Sequence, residues 1–168
     1  MLTFRIPTPD DRQEVLAYRT EILRCTESFD GAAGLGEFER FSAWLERLEL
    51  LAPGRAEKYG YYPTLVRLAY KDDRLAGILN VRVTEDAFVR TYAGHIGYNV
   101  RPSCRRKGYG LACALEGVRL CSENGIDHPV ICTDPKNRAS QKTAEAAGFV
   151  FAGKETTRSG IPVLRFVR

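Results

Sequence analysis

Four basic residues, Arg101, Arg105, Arg106 and Lys107, crowd into one short stretch, and Gly108 and Gly110 follow at once. Glycine at these positions removes side-chain bulk where backbone N–H groups must approach a ligand. Leu111, Leu115, Val118 and Cys121 then recur at helical spacing, which sets the glycines at a helix N-terminus. The first N–H groups of a helix have no internal partner, and the helix dipole adds positive potential there. A phosphate is the natural occupant, with Arg105, Arg106 and Lys107 as charge-assisted donors. No Gly-Lys-Ser/Thr follows, so the turn is not a Walker-type nucleotide loop. Nor is it the dinucleotide fingerprint, because position 113 is Cys113 rather than a third glycine.

Groups that can exchange a proton lie upstream of the turn. His95 is the best-placed base and reads equally as a structural strand histidine. Glu85 and Asp86, at the end of the preceding strand, are alternatives; His128 sits at a turn beside Pro129. The five cysteines are an odd number at irregular positions with no Cys-x-x-Cys pair, which argues against a metal site or a disulfide framework. A reducing, cytoplasmic setting is expected, and the N-terminus lacks the pattern of a signal peptide.

The elements that must position these residues follow from periodicity. Thr3–Ile6 reads as a strand, and Pro9-Asp10-Asp11 opens a helix with Val15, Leu16, Tyr18, Ile22 and Leu23 as apolar positions. Gly31–Gly36 is a glycine-rich loop, and Phe38–Leu51 is helical until Pro53-Gly54. Leu65–Lys71 and Arg74–Val83 form a hairpin about Asp72-Asp73. His95–Val100 is a strand stopped by Pro102, and the helix after the turn closes at Asn124-Gly125. Val130–Thr133 is a strand, Asn137–Ala147 a helix, and Phe149–Thr156 with Val163–Val167 a final strand pair. This order predicts one domain over residues 1–168, of mixed α/β (α+β) class. Its sheet is mostly antiparallel with six to seven strands, one strand–helix–strand crossover and helices on both faces.

The spacing Arg-x-x-Gly-x-Gly from Arg105 to Gly110 resembles the pyrophosphate loop of the GNAT N-acetyltransferase superfamily. His95-Ile96-Gly97-Tyr98-Asn99-Val100 with its basic loop is similar to a branch of bacterial predicted acetyltransferases of undefined substrate. Asn137-Arg138-Ala139-Ser140 and then Ala147-Gly148-Phe149 resemble the superfamily's second signature, so the likeness covers residues 63–168. The resemblance implies a GNAT-like acyl-CoA acyltransferase fold, with acetyl-CoA (coenzyme A) as co-substrate and no metal. It implies transfer of an acetyl group to a primary amine of a small molecule or peptide, by direct attack in a ternary complex. Cofactor binding falls on Asn99, Val100, Arg105, Arg106, Lys107, Gly108, Tyr109, Gly110, Asn137 and Ser140. Coenzyme A fills a gap between His95–Val100 and Val130–Thr133, bound near the acyl group by Val100 backbone, while a neighbouring N–H polarises the acyl carbonyl. Asn137 is equally a plain helix N-cap after Pro135.

The catalytic groups implied are His95 or Glu85 as base and Tyr98 as acid, with Tyr109 a further donor. Many relatives carry a tyrosine seven residues after the helix-opening asparagine, where this chain has Ala144. The acceptor site is expected among the first helices, Gly31–Gly36 and Phe88–Gly94, with Phe29, Trp44, Tyr61 and Tyr62 as candidate lining or core.

Composition bounds the alternatives. Hydrophobic residues are 44%, charged residues 27% and the net charge +4, ordinary for a globular chain and weak for a nucleic-acid binder. Neither nucleic acid nor membrane is an expected partner, and a homodimer is left open. A non-catalytic acyl-CoA-binding module is the alternative function, motivated by Ala144 and the unassigned base.

Overall fold

The hairpin about Asp72-Asp73 organises the first half of the chain. In the computed structural model, which describes residues 1–168, β2 (Thr64–Lys71) and β3 (Arg74–Arg82) pair in antiparallel register from Lys71–Arg74 to Thr64–Arg82. Asp72 sits at φ +53, the left-handed conformation that tight turns demand and aspartate tolerates. β1 (Thr3–Arg5) joins the outer side of β2, and β4 (Ile96–Val100) the outer side of β3, giving a sheet ordered β1-β2-β3-β4. A second sheet, ordered β5-β7-β6, comprises β5 (Val130–Thr133), β6 (Val150–Thr156) and β7 (Pro162–Val167). All paired strands are antiparallel.

Strand alternation sends side chains to two faces, and each face acquires a core. Ile78 and Leu68 pack with Val15, Tyr18 and Ile22 of α1 (Arg12–Arg24) and with Phe41 and Trp44 of α2 (Phe41–Leu51). Leu79, Val81 and Ile96 pack on the opposite face with Ala114, Leu120 and Cys121 of α3 (Tyr109–Glu123) and Ala144 of α4 (Arg138–Ala146). No helix is long and apolar enough to cross a membrane.

Three local expectations differ. The seven strands form two sheets rather than one, because β4 and β5 meet only at one end. The helix expected from Phe38 starts at Phe41; Leu35–Glu37 is a separate 3-10 turn and Phe38 is extended, its ring packed on the first core. Phe88–Gly94 contains a π-helical turn, Val89–Ala93, whose Val89 is buried.

Candidate active site

The two sheets are joined at His95 and splay apart beyond it. His95 N–H donates to Val130 O at 2.7 Å, and Val130 N–H donates to His95 Nδ1 at 3.0 Å. Toward β3, Arg82 N–H donates to His95 O and Arg101 N–H to Ala76 O. These bonds set odd-numbered β4 residues against β3, so the backbone groups of Tyr98 and Val100 face the opposite, open edge. At the joined end the chains crowd: Gly94 has φ +72, and a Cβ there would stand 2.7 Å from Cys132 N. At the open end lies the N-terminus of α3. Arg106 and Gly108 take left-handed φ values of +61 and +77, and Ala112 N–H is the first to bond back, to Gly108 O at 3.0 Å. The earlier N–H groups of that turn point out of the helix end.

Tyr98 crosses the gap. Its hydroxyl stands 3.4 Å from Ser140 Oγ at the start of α4, and burial raises its pKa. Gly110 lies beneath it, where a Cβ would meet Tyr98 Cε2 and Thr143 Oγ1 at 3.6 Å. Asn137 caps α4: its Oδ1 accepts from Ser140 N–H at 3.0 Å. Tyr98, Gly110, Asn137 and Ser140 are therefore brought to one place.

Not all of the basic cluster reaches the gap. Arg101 is buried and bonds Glu21 at 2.6 Å, Glu14 at 3.2 Å and Leu75 O. Ser103 N–H also donates to Glu21, at 2.6 Å. Burial alone would raise the Glu21 pKa, but the hydrogen bonds from Ser103 and Arg101 outweigh it and bring the carboxyl down to about 2. Arg105, expected on the cofactor, forks onto Glu27 and donates through Nε to Val100 O at 3.1 Å. The Arg105 hydrogen bonds hold Glu27 below the usual carboxylate range. These pairs root the turn on α1 and the segment that follows it, and leave Arg106 and Lys107 exposed as its free cations. Asn99 is likewise turned away: its side chain accepts from Tyr18 OH at 2.6 Å and donates to Asp30 O at 2.9 Å.

The base roles expected of His95 and Glu85 do not fit this geometry. His95 is fully buried. With Nδ1 accepting from Val130, the ring carries its proton on Nε2, which donates to Thr84 O at 3.1 Å. Both nitrogens are filled, and burial lowers the pKa. The imidazole pins the vertex of the gap. Glu85 lies beyond the end of β3, exposed and paired with Arg90. Asp86 accepts from Tyr62 OH and Phe88 N–H.

On the α1–α2 face, across β3 and β4 from the gap, a cavity of about 520 Å3 opens. Phe29, Tyr61 and Tyr62 line it, as does the Gly31–Gly36 loop. Trp44 does not: it is core, its Nε1–H donating to Ala33 O at 3.0 Å. The Val89–Ala93 turn does not line it either. Sequence reading missed the floor, Asn80 and Arg82, and the wall residue Arg47. The available signal was Arg82 itself, a cation near the end of an otherwise apolar strand. Gly31 is laid on β4 so closely that a Cβ would fall 2.2 Å from Tyr98 O, and Asn80 fixes it by donating to Gly31 O at 2.8 Å.

Comparison with known proteins places this arrangement. No curated protein matches the sequence significantly. Among solved structures, the microcin C7 self-immunity acetyltransferase in complex with acetyl-CoA and AMP superposes with a TM-score of 0.70 at 17% identity, covering 99% of this chain and 91% of that one. The ribosomal-protein-S5-alanine acetyltransferase from Vibrio fischeri gives 0.70 at 13%, covering 99% and 92%. Aminoglycoside acetyltransferase AAC(6')-Ib, in complex with coenzyme A and kanamycin, gives 0.66 at 18%, covering 100% and 94%. These likenesses concern the fold. The sequence itself matches the acetyltransferase (GNAT) domain over residues 1–150, and the chain therefore belongs to the GNAT family of acetyl-CoA-dependent N-acetyltransferases.

Proposed function

We propose that this acetyltransferase modifies a primary amine of a small molecule or peptide by direct attack on acetyl-CoA in a ternary complex. The observation that carries the reading is the placing of cavity and gap on either side of one strand. Asn80, on the cavity floor, stands opposite Gly97 of β4, and its amide would lie 3.0 Å from a Cβ at that position. The absence of a side chain at Gly97 lets the Asn80 amide lie directly against β4, so a single strand separates the cavity floor from the open β4 edge. The structural relatives include a ribosomal-protein-S5-alanine acetyltransferase and an aminoglycoside acetyltransferase in complex with kanamycin, so the acceptor is read from this chain's own cavity.

In this reading Arg106, Lys107 and the N–H groups of Gly108, Tyr109 and Gly110 bind the pyrophosphate, and the open edge of Tyr98 and Val100 pairs with the pantetheine amides. Ser140 and Asn137 border the same arm. The neutral amine attacks the acetyl carbonyl carbon, forming the C–N bond and placing negative charge on oxygen. An N–H of the open β4 edge stabilises that charge. Collapse breaks the C–S bond. Tyr98, kept protonated by burial, donates to the departing sulfur and is reprotonated from solvent; a thiol of pKa about 8.5 is already a fair leaving group. The amine's proton passes to cavity water and the rim carboxylates Asp30 and Glu37. Thiol release from acetyl-CoA with a panel of amines tests this. Intersecting initial-velocity lines are expected; acetyl-CoA binding without turnover on any amine would refute it.

A further inference from the structure

The cavity holds charges that the fold has not paired. Asp30 and Glu37 stand exposed at its rim, while Arg47 and Arg82 are half-buried in its wall and floor. None of the four forms an ion pair with another. Several arginines elsewhere do have carboxylate partners: Arg101 has Glu14 and Glu21, Arg105 has Glu27, and Arg5 has Asp11. Arg82 has only carbonyls, donating through Nη1 to Gly94 O at 3.1 Å and Ala93 O at 3.5 Å. Burial pulls its pKa down, the mark of a cation short of a counter-charge. Arg47 lies over the Tyr61 ring, 3.9 Å from its centroid, a contact that orients the guanidinium without neutralising it.

A half-buried guanidinium fixed by backbone carbonyls, with donors left over, is a preformed clamp for a carboxylate. The opposite signs are also sorted in space. The acids are at the rim, with Asp30 next to the Gly31 backbone that covers Tyr98; the cations are deeper along β3 and α2. We propose that the acceptor is an amino-carboxylate, an amino acid or short peptide, whose carboxylate is held by Arg82 and Arg47 while its amine is presented beside Asp30 toward the β4 edge. This rests on the reading of the cavity as the acceptor site. The amine nitrogen gains the acetyl carbon and loses one proton, the C–S bond breaks, and coenzyme A leaves as the thiol; the carboxylate is unchanged. A cavity of about 520 Å3 accommodates such a ligand with its side chain among Phe29, Tyr61 and Tyr62.

The test pairs each standard amino acid with its carboxamide and its decarboxylated amine, using acetyl-CoA and thiol release as readout, with a polyamine and an aminoglycoside as carboxylate-free acceptors. At least one amino acid should be acetylated with kcat/KM about ten-fold or more above both partners. Arg82→Gln should abolish that preference by raising KM for the acid far more than for its carboxamide, with acetyl-CoA binding retained. Because Arg82 also ties down Gly94 and Ala93, Arg47→Gln, which breaks no backbone hydrogen bond, serves as the second variant and should narrow the same ratio. Turnover of carboxylate-free amines at equal or higher kcat/KM, or a ratio unmoved in both variants, overturns the carboxylate clamp and leaves acetyl transfer standing. No turnover with any amine overturns both.

Discussion

Gly108 offers a clean perturbation of the pyrophosphate turn. It opens α3 at φ +77, and an added Cβ would find no atom within 4 Å. Replacement therefore meets no clash and costs only the left-handed backbone, about 1 kcal/mol. For a chain of this length that lowers Tm by roughly 2–4 °C. Gly108→Ala should fold and show that small loss. Gly108→Glu adds a carboxylate where the pyrophosphate is proposed to sit. Two like charges roughly 5 Å apart at an effective dielectric of about 20 repel by about 3 kcal/mol. Coenzyme A affinity should then fall by roughly 100-fold or more, measured by titration calorimetry. Gly54→Glu is the control: it has φ +80, open space within 4 Å, and lies just past α2, away from the turn. It carries the same backbone cost and the same new charge but should leave coenzyme A binding intact. Retained affinity in folded Gly108→Glu, or an equal loss in Gly54→Glu, would refute the assignment.

Tyr98→Phe removes the hydroxyl that reaches Ser140 and should lower kcat by about 10- to 100-fold with coenzyme A affinity unchanged; an unaltered kcat would remove Tyr98 as the acid. Glu21, brought from 4.5 to about 2, contributes at most about 3 kcal/mol, less solvent screening. Its folded pKa is depressed, so that stability is complete above pH 4.5 and lost as pH falls toward 2. Urea denaturation should accordingly show Glu21→Gln weaker than the parent at pH 7, with the gap closing below pH 4. His95 is held neutral by burial, so its contribution is present above its unfolded pKa of about 6.5 and is lost progressively as pH falls from there through its lower folded pKa. His95→Ala should cost about 2–4 kcal/mol yet leave the shape of the kcat/KM pH profile intact, whereas a flattened rise would reinstate it as the base.

The turn was legible in the sequence because glycine and charge at a helix start are local signals, needing only Arg105–Leu111 to be read. The strand–helix order around it was equally local, and it placed Tyr98 and Val100 on the strand that borders the gap. What stayed hidden depends on partners remote in the chain. Arg101 and Arg105 look like Arg106 and Lys107 until α1 and the segment after it fold back and supply Glu14, Glu21 and Glu27. His95 looks like a base until Val130 and Thr84 fill both its nitrogens. Arg82 looks like the frayed end of a hairpin strand until the Gly31 loop and Tyr61 close a cavity above it. Residue type shows where charge exists; only tertiary contacts show which charges are already answered. Among the cations without a carboxylate partner, two pairs border the proposed substrate sites. Arg106 and Lys107 stand at the open end of the gap, and Arg47 and Arg82 in the cavity behind it. In the proposed reading each pair receives its anion from a different substrate, the pyrophosphate of coenzyme A at the turn and the carboxylate of the acceptor in the cavity. The proposed ternary complex is the state in which both pairs are answered together.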